Sequence, residues 1–90
     1  MDVCRYFDQL QQDARKGVDY DIMHRHGDSG ILLMAPHGGG IEPGTGDIVD
    51  AIAGRCHSFY CFVGMKKTGN RALHIPSNHF DEPLALTMAQ

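Results

Sequence analysis

The fold of this chain is expected to depend on one stretch, ILLMAPHGGGIEPGT, which occupies residues 31–45. Its first five residues, 31–35, are all apolar, and a short continuous apolar run is typical of a strand buried on both faces of a sheet. Four glycines and two prolines follow within residues 36–45, which predicts that the strand ends in a tight loop. Because ligands bind beyond the carboxyl ends of strands in open α/β sheets, we expect this loop to carry a site.

The segments around this stretch predict an α/β fold. Upstream, apolar residues recur at helical spacing over residues 2–14, and apolar and polar residues alternate over residues 20–26. We therefore expect a helix and then a strand, and the strand could form a hairpin with the central strand at residues 31–35. Downstream, a helix over residues 47–53 and a strand over residues 58–63 predict a parallel strand pair joined by a right-handed crossover.

Two further elements are expected near the end of the chain. Residues 72–75 are predicted to form a short strand, and a helix is predicted to begin at residues 81–83, where Asp, Glu and Pro are typical of a helix N-terminus. That helix reaches Gln90 after about two turns without a C-cap signal. We therefore expect residues 1–90 to be the N-terminal portion of a single domain that is incomplete at its C-terminus.

Bulk composition excludes several classes of protein. Hydrophobic residues make up 42% of the chain and charged residues 21%, which is typical of a soluble globular domain. The net charge of −3 argues against a nucleic-acid partner, since nucleic-acid-binding domains carry a basic surface. No apolar run could span a bilayer and the N-terminus lacks a secretory signal pattern, so we expect no membrane partner and synthesis in the cytoplasm. Three cysteines without a repeated spacing suit neither a disulfide framework nor a zinc finger.

His37 and Glu42 are the candidate metal ligands. They are spaced as His-x4-Glu in the glycine-rich loop, and catalytic zinc sites commonly use two histidines, one glutamate and a water. A zinc ion there would acidify its water and polarise an amide carbonyl. The short motif alone supports a structural interpretation about equally well, in which the glycines build a turn and Glu42 lies on the surface. A phosphate-binding loop is less well supported, because the segment matches neither common glycine pattern for phosphate.

A second polar cluster lies at residues 70–79, around the predicted short strand. Asn70 and Arg71 are candidate contacts for a substrate carboxylate, which such donors can bind as a fork. His74 is a third candidate substrate contact, although its position within an apolar strand favours a core histidine over a ligand. His79 lies in a predicted loop, where both an exposed position and a position in the site are open.

Four blocks of the sequence, in the same order, closely resemble the poly-γ-glutamate hydrolase family, which occurs in phages and bacteria. They are APHGGGIEPGT at 35–45, SFY at 58–60, LHI at 73–75 and FDEP at 80–83. The resemblance implies a three-layer mixed-sheet sandwich similar to zinc carboxypeptidases, of which this chain would contain about four strands. It also implies that Zn²⁺ is bound by His37 and Glu42 and that metal-activated water hydrolyses the γ-amide bonds of poly-γ-glutamate.

The resemblance further implies a second histidine ligand and a general-base glutamate at positions beyond Gln90. His74 and His79 do not match the position of that ligand, so neither is assigned to it. We therefore expect these 90 residues alone to be a poor catalyst, since a missing general base costs on the order of 10²–10⁴-fold in rate. The alternative is a non-catalytic, truncated relative that binds poly-γ-glutamate or a partner chain.

Two expectations about partners and location follow from the same resemblance. Missing strands would leave an unpaired sheet edge, through which copies of the chain could self-associate. If the protein is encoded by a phage, it would be released from the cytoplasm when the host lyses.

Overall fold

A computed structural model describes residues 6–75 and 77–90, and within them all side chains except those of Arg71, Ala72 and Asn78. Cys4 and the first part of the predicted N-terminal helix lie outside the described residues. The described elements are helices α1 (Phe7–Asp13), α2 (Thr45–Ala53) and α3 (Pro83–Met88), strands β1 (Tyr20–Arg25), β2 (Leu32–Gly39) and β3 (Ser58–Gly64), and 3-10 turns at Asn70–Leu73 and Ser77–His79.

The three strands form one mixed sheet in the order β1-β3-β2. Strand β2 runs parallel to β3, with α2 as the connection, so the predicted parallel pair is confirmed. The predicted hairpin is wrong, because β1 pairs antiparallel with β3 and has no pairing with β2. The predicted central position of residues 31–35 is also wrong. The central strand is β3, in which Phe59, Tyr60, Cys61 and Phe62 are all buried, so that both of its faces are apolar.

Strand β2 continues four residues beyond its predicted end and includes His37. Its register with β3 shifts between Ala35 and Gly38, where three steps along β2 correspond to two along β3. Pro36 lies in this bulge. Proline has no N–H to donate to a neighbouring strand, and it is tolerated in sheets at edges and bulges. The bulge therefore explains why Pro36 does not end the strand.

Helices cover both faces of the sheet. On one face, Phe7 and Leu10 of α1 and Ala85 of α3 belong to the same core cluster as Tyr60 and Phe62 of β3. On the other face, Ala53 of α2 packs with Phe59 and Cys61 of β3 and with Ala35 of β2. The predicted α/β class with a mixed sheet is thus confirmed. No helix in the described part of the chain has the length and hydropathy needed to cross a membrane.

The predicted strand at residues 72–75 is wrong, so the described residues contain three strands instead of about four. Residues Asn70–Leu73 form a 3-10 turn, and an irregular segment follows it. Leu73 and Ile75 are nevertheless 1% and 0% exposed, because both point into the core from this segment. Alternation of buried and less buried residues therefore arose here without a paired strand. The helix predicted at residues 81–83 is present as α3, with Glu82 as its N-cap.

Gly39, the last residue of β2, is expected to be intolerant of a side chain. Its φ is 61°, and a Cβ there would lie 2.6 Å from the carbonyl oxygen of Gly64. We expect Gly39→Ala to lower the free energy of unfolding by about 2–4 kcal/mol, because left-handed strain adds to a contact with backbone that cannot rotate away. Gly44→Ala is the matched control, since Gly44 has a φ of 94° and open space around a Cβ. We expect Gly44→Ala to lower the free energy of unfolding by about 1–2 kcal/mol. Urea unfolding followed by circular dichroism measures both, and equal losses would contradict the proposed contact.

Candidate metal centre

The loop that carries His37 and Glu42 begins inside β2 and ends at the first turn of α2. The backbone N–H of Glu42 donates to the carbonyl oxygen of His37 at 2.9 Å. The hydroxyl of Thr45 donates to two carbonyl oxygens, that of Glu42 at 2.8 Å and that of His37 at 3.1 Å. These bonds hold the backbones of the two candidate ligands together, and they tie both to the start of a helix.

The glycines let this loop lie directly on β3. A Cβ at Gly38 would overlap the thiol sulfur of Cys61, and one at Gly46 would lie 3.0 Å from it. Burial of this thiol, together with the carboxylates of Asp47 and Asp50, raises the pKa of Cys61 to about 11. The thiol is therefore protonated near neutral pH. Since metal ligation and nucleophilic attack require the thiolate, Cys61 supports the loop by packing.

His37 is held in an orientation that suits a metal ligand. It is 9% exposed, and its Nε2 contacts the carbonyl oxygen of Ile75. A carbonyl can only accept a hydrogen bond, so the proton of a neutral ring lies on Nε2 and the lone pair on Nδ1. Metal-ligating histidines are commonly oriented by such a bond from the opposite ring nitrogen.

Nδ1 of His37 faces Oε1 of Glu42 at 3.3 Å. In the tautomer above, both atoms are acceptors, and two acceptors this close repel each other unless a cation or proton lies between them. Two ligands at zinc bond lengths of about 2.0–2.1 Å, placed at a tetrahedral angle, lie about 3.3 Å apart. The donor set and its spacing therefore fit a zinc ion bound by His37 and Glu42.

The structure brings His74 to this pair as well. Its ring stacks on that of His37, with 3.9 Å between centroids and 15° between planes. Its Nε2 lies 3.6 Å from Oε1 of Glu42, and the three residues offer ligand atoms within 4.8 Å of one another. The sequence pattern favoured a core histidine in a strand here. The histidine is instead 23% exposed in its side chain and lies in the site.

The other predicted site residues are placed differently. Oδ1 of Asn70 accepts from the backbone N–H of Lys66 at 3.0 Å, and Nδ2 donates to the carbonyl oxygen of Lys66 at 2.8 Å. The Asn70 side chain thus closes the loop after β3, and it lies against Gly40 of the glycine-rich loop. The side chain of Arg71 lies outside the described residues. The ring of His79 stacks on Tyr6, with 5.2 Å between centroids.

Two residues of the centre were not assigned to a site by the sequence pattern. Thr45 lies after a glycine at the start of a predicted helix, a position typical of an N-cap. In the structure Gly44 is the N-cap, and the Thr45 hydroxyl turns back to the loop. The carbonyl oxygen of Ile75 leaves no sequence signal, because every residue carries one. Only the three-dimensional arrangement identifies it as the partner of His37.

A cleft of about 170 Å³ opens beside the candidate ligands. Thr45 and Ser77 are among its polar lining residues, and Met34 and Pro36 are among its apolar ones. The Glu42 side chain is half-exposed, so water and a small group can reach the pair from solvent. The arrangement combines two candidate metal ligands with room for a reacting group next to them.

Known proteins are similar to this chain in both sequence and fold. A profile of the poly-gamma-glutamate hydrolase family matches residues 5–90. The UPF0714 protein YndL of Bacillus subtilis (strain 168) is 41% identical over 87 residues, which cover 97% of this chain and 34% of YndL. The UPF0714 protein YmaC of the same strain is 46% identical over 69 residues, which cover 76% of this chain and 29% of YmaC.

Two solved structures superimpose on nearly the whole chain. A bacteriophage poly-gamma-glutamate hydrolase matches with a TM-score of 0.90 and 34% identity, and zinc-free apo YndL matches with a TM-score of 0.88 and 41% identity. Each match covers 98% of this chain and 43% of the solved chain. This chain therefore spans about a third of the length of these curated relatives and less than half of these solved chains. The resemblance seen in the four sequence blocks is confirmed, and the chain belongs to the poly-gamma-glutamate hydrolase family.

Proposed function

We propose that this chain supplies the zinc-binding loop of an enzyme that hydrolyses the γ-amide bonds of poly-γ-glutamate. The observation that carries the proposal is the orientation of His37, whose Nε2 is bound by Ile75 while its Nδ1 faces Glu42 at 3.3 Å. Membership of the hydrolase family and the existence of a zinc-free apo form of a relative support the same reading. The mixed sheet with helices on both faces also supports a carboxypeptidase-like architecture for the complete domain.

The roles of the chain's own residues follow from their contacts. His37 and Glu42 would hold zinc, which when bound supplies a Lewis acid for an amide carbonyl and an activated water. Thr45 fixes the distance between the two ligands through the backbone of the loop. The cleft beside them admits the amide group to be cleaved. Hydrolysis then adds water across the C–N bond and releases a carboxylate and an amine.

Asn70 and Arg71 are the proposed contacts for substrate carboxylates. The net charge of the chain is −3, so a polyanionic substrate has to be bound by local donors. Asn70 lies against the glycine-rich loop, and its Nδ2 has a second hydrogen besides the one donated to Lys66. Arg71 follows it directly in the sequence and adds a guanidinium fork, which suits carboxylates.

The length of poly-γ-glutamate after incubation with the chain tests this proposal. We expect shortening that requires added zinc and stops with a chelator. Since the chain spans 43% of the bacteriophage poly-gamma-glutamate hydrolase, we expect a rate about 10²–10⁴-fold below that of the bacteriophage enzyme under the same conditions. Glu42→Gln is expected to remove the activity, while Asp28→Asn, a change at an exposed turn, serves as the charge-matched control.

Two results would contradict the proposed chemistry. Shortening that persists in chelator would exclude a zinc hydrolase. Zinc-dependent retention of the polymer without any shortening would favour the non-catalytic alternative, a module that binds poly-γ-glutamate.

A further inference from the structure

The stacked rings of His37 and His74 restrict which of them can bind one ion. A metal bound by imidazole lies close to the plane of the ring, about 2.0–2.1 Å from the nitrogen. The two ring planes are only 15° from parallel, with 3.9 Å between centroids. Nearly parallel planes at this separation do not meet near the rings, so one ion cannot lie in both. An ion bound by His37 therefore has no in-plane bond to His74 in this arrangement.

The neighbours of His74 show what else its ring does. Leu73 and Ile75, on either side of it, are 1% and 0% exposed and belong to the main core cluster. The backbone of His74 is thus anchored on both sides. From this anchored segment, the carbonyl oxygen of Ile75 binds Nε2 of His37, and the ring of His74 covers one face of the same imidazole.

We propose that His74 is a positioning residue for the metal ligand His37, and that it is not the third ligand. The inference rests on the proposed metal site. Rotation of the His37 ring about its Cβ–Cγ bond would break the bond to Ile75 and the stack on His74 together. Ile75 therefore holds the imidazole of His37 at its edge, and the adjacent His74 holds it across one face. Together they keep Nδ1 of His37 directed at Glu42 at 3.3 Å. Interactions of this kind around a ligand are typically worth 10–100-fold in metal affinity.

Zinc affinity of His74 variants, measured by competition with a chromophoric chelator, tests the inference. His74→Phe keeps a flat ring on His37 but offers no nitrogen, whereas His74→Ala removes the ring. We expect His74→Ala to weaken zinc binding about 10-fold and His74→Phe to stay within about 3-fold of the wild-type chain. His57→Ala is the control histidine, because His57 makes its hydrogen bond with Ser29. Urea unfolding of each variant separates loss of affinity from loss of fold.

A second readout distinguishes positioning from ligation. The visible spectrum of the Co²⁺-loaded chain reports the ligand set, and we expect His74→Phe to leave it unchanged. Equal losses in His74→Phe and His74→Ala of about 100-fold, with an altered Co²⁺ spectrum, would make His74 a ligand and overturn the inference. Unchanged zinc affinity in both variants would overturn it as well, in favour of a substrate contact. Absence of zinc binding by the wild-type chain would overturn the proposed function itself.

Discussion

The chain with alanine in place of His37 is expected to bind zinc at least about 100-fold more weakly than the wild-type chain. His37 is the more buried and more constrained of the two proposed ligands, at 9% exposure, with its Nε2 bound to the carbonyl oxygen of Ile75. Alanine removes the ligand nitrogen, and Glu42 alone is half-exposed in a loop. A single carboxylate offers zinc little more than a surface aspartate does. Isothermal titration with zinc measures the difference.

The loss of zinc affinity in the His37→Ala chain should also appear as a smaller stabilisation of its fold by zinc. Zinc at 100 times its dissociation constant should stabilise the wild-type chain by about 2.7 kcal/mol, and the His37→Ala chain hardly at all. His79→Ala is the matched control, because the ring of His79 stacks on Tyr6 and lies outside the three-residue cluster. An equal thermal shift with zinc in the His37→Ala and wild-type chains would exclude His37 as a ligand.

Glu82→Ala is expected to lower the free energy of unfolding by about 3–5 kcal/mol. Glu82 is 5% exposed, and its carboxylate accepts from the hydroxyl of Tyr60 at 2.7 Å and from the backbone N–H groups of Leu84 and Ala85 at 3.1 and 3.0 Å. Alanine leaves all three donors without this acceptor and opens a cavity. Small domains are stable by about 5–15 kcal/mol, so this loss is a large share of the total. Urea unfolding followed by circular dichroism measures it.

Two smaller changes separate the parts of this effect. Glu82→Gln keeps the shape and one acceptor oxygen, and we expect about half of the loss. Tyr60→Phe removes only the hydroxyl, whose pKa is raised well above its usual value by burial and by the bond to Glu82, and we expect about 1–2 kcal/mol. An unfolding midpoint of Glu82→Ala equal to that of the wild-type chain would show that water replaces these contacts.

The elements that could be predicted from the sequence are those with local causes. The crossover from β2 through α2 to β3 follows from two apolar runs separated by a helical pattern. The order of the strands in the sheet does not follow from any local pattern. Residues 31–35 and 58–63 are both apolar, and nothing local decides which is central. The aromatic residues Phe59, Tyr60 and Phe62 decide it, because they fill the space on both sides of β3, and that space is defined only by the packed helices.

The same division applies to the candidate metal centre. The proximity of His37 and Glu42 could be predicted because both lie in one loop, where spacing and residue type are visible in the sequence. The position of His74 could not, since a 3-10 turn and the burial of Leu73 and Ile75 bring it back to the loop from 37 residues further along the chain. Leu73 and Ile75 are buried, as their apolar side chains favour, but the strand predicted at residues 72–75 is wrong.

Pairing in this sheet has a consequence for how the chain folds. In the sheet of the described residues, every paired strand residue lies 25 to 44 positions from its partner, from Gly39 with Gly64 to Tyr20 with Gly64, and none of these strand pairs is a hairpin that could form an early local nucleus. Large loops must close before any pair of these strands is formed, and non-local pairing of this kind slows folding relative to topologies built from local contacts. The centre needs the end of β2 and the segment after β3 in place together. Zinc should therefore bind after the sheet has assembled, and it should slow unfolding more than it accelerates folding.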